Sequence, residues 1–157
     1  MNEEILTLGG AEQVMRLTEY LTKIGCQPSL APDKALIWVN YKNIPFIIRF
    51  TEQYIQIEAI LLATLSLGKT PHRERFCEVI SYLSHYPGPR MAISRQNGDN
   101  DLPVAAYYEL YSPFCGGEES EQENILALIR ILDSFLNLRV ELLLEAEIFK
   151  NQISKMN

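Results

Sequence analysis

Cys77, His72 and Tyr108 are the residues whose types could combine into a reactive centre. A nucleophilic cysteine needs a nearby base and surroundings that favour the thiolate. His72 and His85 stand five and eight positions from Cys77 in a stretch of helical character. Neither is therefore its neighbour one turn along. The histidines lie 13 positions apart, outside any HExxH spacing. Cys26, Cys77 and Cys115 are odd in number and far apart, and they form no CxxC. The carboxylate pairs Glu74/Glu78 and Glu141/Glu145 are each one helical turn apart. Such pairs can bind metal or move protons. On amphipathic helices they read first as the solvated face. Gly9-Gly10 lacks the Gly-Lys-Ser/Thr of a phosphate loop, and Asp33, Asp99 and Asp101 lack calcium-loop spacing. The expectation is a protein that is not an enzyme, with no metal and no cofactor. A small-molecule sensor using Cys77, His72 and Tyr108 is the alternative on this side.

The elements that must position these side chains come from a chain of 157 residues, 47% hydrophobic and 22% charged, enough for one core. The net charge is −6 and no run of Lys or Arg occurs. That disfavours nucleic acid and anionic membrane surfaces as partners. The start, Met1-Asn2-Glu3-Glu4, has no signal-peptide character, and the longest apolar stretch, residues 59–67, is far short of a membrane span. Scattered free thiols suit a reducing compartment, so the expected address is cytoplasmic.

One domain is expected over residues 1–157, with 1–10 a flexible start. Residues 11–24 carry Val14, Leu17, Leu21 and Ile24 on one helical stripe, stopped by Gly25. Strands follow at 36–41, 44–50 and 54–62, joined by short turns, the first at Lys42-Asn43. Thr70-Pro71 opens a second helix with Phe76, Val79, Ile80 and Leu83 as its stripe, and Pro87-Gly88-Pro89 ends it. Strands at 90–96 and 102–111 flank an Asn97-Gly98 turn. On the latter, Val104, Ala106, Tyr108 and Leu110 oppose Ala105, Tyr107, Glu109 and Tyr111. Ser120 and Glu123 then form a capping box before a long helix over 120–155. Its apolar positions run Ile125, Leu128, Leu132, Phe135, Leu142, Ala146, Phe149 and Ile153, with Arg139 the one polar member and Asn137 a weak point. The fold class is α+β: one antiparallel five-stranded sheet with helices on one face, in the order α-β-β-β-α-β-β-α.

Two features point outward. Aromatic rings crowd the strands on both faces, so some should remain exposed. The last two turns of the long helix (Ala146, Phe149, Ile153) exceed what five strands would cover and are expected to dock elsewhere or fold back on the core.

The layout resembles the type III secretion chaperone-like superfamily, which includes the secretion chaperones and the YbjN-like proteins. The likeness is carried by Leu21-Thr22-Lys23-Ile24-Gly25 at the end of helix one and by the hairpin Val39-Asn40-Tyr41-Lys42-Asn43-Ile44-Pro45-Phe46. Helix two, the hairpin turning at Asn97-Gly98-Asp99 and the final long helix complete it, over residues 11–151. His85-Tyr86-Pro87 stands where an asparagine often follows helix two in these families. The resemblance implies a non-catalytic protein-binding module, commonly a homodimer, chaperone-like or a regulatory adaptor, that takes an extended or apolar segment of a partner protein. The residues expected to bind the partner are Trp38, Phe46, Ile48 and Phe50; those expected in self-association are Tyr82, Tyr107, Tyr111 and Phe149. A structural subunit docking through its C-terminal helix is the remaining alternative.

Overall fold

A computed structural model describes residues 8–31, 35–67, 70–85, 88–93, 101–111, 114 and 118–156. The elements are α1 (Leu8–Lys23), β1 (Ser29–Leu30), β2 (Leu36–Tyr41), β3 (Ile44–Phe50), β4 (Ile55–Ser66), α2 (Thr70–Leu83), β5 (Arg90–Ile93), β6 (Asp101–Leu110) and α3 (Glu118–Met156). The strands form one antiparallel sheet in the order β1-β2-β3-β4-β6-β5.

The sheet has six strands, not five. The extra one, β1, holds only Ser29 and Leu30, paired to Trp38 and Ile37. Two residues are too few to show alternation. The start also differs: Leu8 to Gly10 already belong to α1. Cys115 and the Asn97-Gly98 turn lie outside the described residues. The helix expected from Ser120 begins at Glu118, and it runs unbroken through Asn137 for 39 residues.

Local chemistry explains the element ends. Gly25, at φ 94°, takes the left-handed position after α1, where the Cys26 amide donates to the Leu21 carbonyl at 2.9 Å. Lys42 and Asn43, at φ 47° and 68°, make the two-residue turn that matches strand twist. The Tyr41 hydroxyl donates to Asp133 at 2.7 Å and the Lys42 ammonium sits 3.3 Å from the same carboxylate, fixing this hairpin to α3.

Strand alternation aims Ile37 and Val39 of β2, Phe46 and Ile48 of β3, Ile57 and Ala59 of β4, and Val104 and Ala106 of β6 into one core under the helices. β4 advances from Ala59 to Ala63 while β6 advances only from Ala106 to Val104, so a bulge interrupts the uniformly apolar run Ile60-Leu61-Leu62. Leu62 thereby joins the core, and Ile60 and Leu61 stay exposed. Phe135 of α3 meets Phe46 edge-on at 5.0 Å, and Phe149 meets Phe76 of α2 at 5.3 Å. Each buried ring contributes about 1.5–3 kcal/mol. The pairing of Phe149 with Phe76 makes α2 and α3 neighbours, and Tyr20 of α1 accepts a bond from Asn124 of α3 at 3.2 Å. Gln13 is the one buried polar side chain among the described residues. Its side-chain nitrogen donates to the Phe114 carbonyl and its oxygen accepts from the Phe114 amide, both at 2.9 Å.

Candidate protein-docking surface

The residues named for partner binding separate by face. Phe46, Ile48 and Phe50 point inward and are buried beneath the helices. Alternation in β3 put them on one face, and the helices cover that face, so they are not open to a partner. Trp38 points the other way and is 45% exposed. It belongs to a line across all six strands on the face away from the helices, Ser29, Trp38, Ile47, Glu58, Tyr107 and Arg90, in which Ile47 is itself buried. Arg49 and Glu58 form an ion pair there at 3.6 Å.

The residues named for self-association also divide. Tyr82 and Tyr111 are exposed, Tyr107 is half-buried and Phe149 is buried. Phe149 is consumed by Phe76, with the Arg75 guanidinium 5.8 Å from its ring centre. Ala146 is buried as well and Ile153 packs against the core, so of the two outcomes expected for these last turns the structure shows the fold-back.

The surface that reasoning on the sequence missed is the opposite side of α3. Val140, Leu144 and Ile148 follow one another at four-residue spacing and are 56%, 59% and 50% exposed, with Leu143 beside them. The buried positions Leu138, Leu142, Ala146 and Phe149 interleave with them. At about 100° per residue, the two sets lie on opposite sides of the helix. The second stripe is visible as a four-residue spacing, but the longer run from Ile125 to Ile153 beside it is the one the core takes.

Leu144 also lines a groove of about 710 Å³ between the end of α2 and α3. Tyr82, Leu83 and Pro89 form its one wall; Leu138, Glu141, Leu144 and Glu145 belong to the other. The groove and the stripe meet at Leu144, and Ser134, Asn137, Glu141 and Glu145 place polar groups among the apolar lining.

At the alternative centre, Cys77 and His72 are half-buried, and His72 Nδ1 is buried without a hydrogen-bond partner among the described residues. Burial, with the Glu74 charge adding to it, pushes the Cys77 thiol up, away from the thiolate. Burial pushes Cys26 up as well. Tyr108 packs against the core. Among the described residues no group of three His, Cys, Asp or Glu is placed to hold a metal ion. No helix of the described residues is long and apolar enough to cross a membrane.

No protein-family model and no curated protein sequence matches the chain. Solved structures do. An uncharacterized protein from Methanothermobacter thermautotrophicus superposes with a TM-score of 0.59 at 14% identity, covering 86% of this chain and 96% of that one. YbjN from E. coli superposes with a TM-score of 0.55 at 10% identity, covering 82% of this chain and 89% of its own. The fold is YbjN-like. At these identities the likeness concerns the fold alone.

Proposed function

We propose that this YbjN-like chain is a non-catalytic protein-binding module that docks another protein on the outward side of α3 and the adjoining α2–α3 groove. One observation carries the reading: α3 is apolar on two opposite sides, and the rest of the described chain covers only one. A surface helix normally turns a polar face to water. A contiguous exposed apolar stripe rimmed by polar groups marks an interaction site. YbjN is described as a proposed transcription regulator. For this chain, regulation through protein contact fits a net charge of −6 better than regulation through DNA. The test places a photo-crosslinking amino acid at position 144 and, as a control, at exposed position 22 on α1. A discrete crosslinked partner from position 144 alone supports the module. The same products from both positions would sink it.

The chaperone-like reading keeps a second surface. Trp38 and exposed Pro45 line a shallow hollow with Gln27, Ser29 and Asn40 that could take an extended partner segment. Trp38 is the single tryptophan, so its emission reports directly on that face. A partner segment that leaves the emission unchanged while binding rules this surface out.

A further inference from the structure

We infer that the occupant of the α2–α3 surface is a basic amphipathic helix of a different protein, its apolar face on Val140, Leu144 and Ile148 and its Lys or Arg side chains on Glu141 and Glu145. This rests on the docking reading above and names the partner's chemistry.

Shape comes first. Val140, Leu144 and Ile148 step about 6 Å apart along the α3 axis, so they form a straight strip about 12 Å long. A facing helix presents anchors at the same one-turn repeat, and the trough beside α2 gives it a bed. An extended strand gains its affinity from backbone pairing at a sheet edge, which this trough between two helices does not offer.

Charge comes second. Glu141 and Glu145 stand one turn apart in the groove lining, next to Leu138 and Leu144. Among the described residues neither carboxylate has a cation within ion-pair distance. Carboxylates beside apolar surface gain more from a cation than fully solvated ones do, because neighbouring side chains exclude water. Tyr82 is exposed on the opposite wall and offers its ring to the same cation. A Lys or Arg pair at one-turn spacing meets both carboxylates at once.

A second copy of this chain fits less well. Glu147 lies within the exposed stripe, and the same face carries Glu141 and Glu145 with Lys150 as its exposed cation. Pairing two such faces brings like charges together, in molecules that each carry −6.

The experiment uses the full chain and two fluorescein-labelled synthetic helices of about 18 residues, five turns long. Both carry leucines on one face. One carries Lys and Arg on the other face, and its counterpart carries Glu. Binding is followed by anisotropy, with Trp38 emission and light scattering in parallel. The basic helix should bind saturably, and the acidic one should not. The Glu141→Gln/Glu145→Gln double variant should bind the basic helix about tenfold more weakly. Added salt should weaken the wild-type complex, and Trp38 emission should stay unchanged. Equal affinity of the double variant overturns the charge assignment and leaves the apolar docking surface standing. Full affinity in a Leu144→Gln/Ile148→Gln variant overturns the docking surface itself. A dimer that this same variant dissociates, with no binding of either helix, makes the occupant a second copy and overturns the partner assignment.

Discussion

Ile148 and Phe149 are adjacent on α3 and fare oppositely: the first is half exposed, the second is 7% exposed against Phe76. The same contrast runs along the helix, with Leu138, Leu142 and Ala146 under cover and Val140, Leu143 and Leu144 in the open. Residue types on the two sides are alike, so hydrophobicity alone does not say what a side chain is for. What differs is the surface each side meets. Folding uses one side, and the other stays open to solvent.

The comparison can be broken most sharply at that neighbouring pair. Phe149→Ala should lower the unfolding free energy by about 3–5 kcal/mol, measured by urea denaturation, because it strips Phe76 of its ring partner. Ile148→Ala should stay within about 0.5 kcal/mol of the parent. If the two cost the same, α3 does not have distinct sides. Cutting the chain after Leu144 removes Phe149 along with Ala146, so it should destabilise at least as much as Phe149→Ala. A truncated chain of parental stability would place the end of α3 outside the core.

Polar contacts on the covered side should weigh less than its rings. Gln13→Ala strips the Phe114 amide of its acceptor and leaves the Phe114 carbonyl to the Arg16 guanidinium alone, at a cost of about 1–3 kcal/mol. Tyr41→Phe removes the bond to Asp133 and should cost about 1 kcal/mol, with the hairpin still formed. Thermal unfolding of both variants checks that order.

The smallest effect is on pH. Cys26, Cys77 and Tyr41 are all pushed up, chiefly by burial, and Glu74 adds to the shift at Cys77 and Asp133 to that at Tyr41. The folded chain therefore holds these protons more tightly than the unfolded one. The resulting stability is full below the unfolded values and is lost as pH rises through the folded ones. Stability should fall from about pH 8.5 to beyond pH 10, with no matching loss between about pH 6 and 8. Urea midpoints across that range provide the check. A midpoint that rises with alkaline pH contradicts the burial of these groups.

Much of this fold was legible because its elements are strongly periodic. The stripe Val14, Leu17 and Leu21, the opposed sets of β6, and the start of α2 at Thr70 each had one reading. Two features escaped for physical reasons. β1 is two residues held by pairing to β2, which leaves no pattern in the chain. The bulge at Ile60 to Leu62 lies in a run that is apolar throughout, so no alternation marks its slip. The site was harder still. Phe46, Ile48 and Phe50 share one face of β3 and Trp38 lies on the other face of the sheet, but alternation cannot say which face the helices take. The α3 stripe likewise required knowing where α2 lies. Tyr82 and Tyr111, by contrast, are exposed.

The most direct test compares affinity and stability in one protein, the Leu144→Gln/Ile148→Gln variant. Its urea midpoint and its affinity for the basic amphipathic helix are measured beside those of the parent. The account predicts a midpoint unchanged within error and an affinity reduced at least tenfold. An unchanged affinity, or a midpoint that falls together with it, would contradict the claim that the outward side of α3 is spare for folding and used for binding.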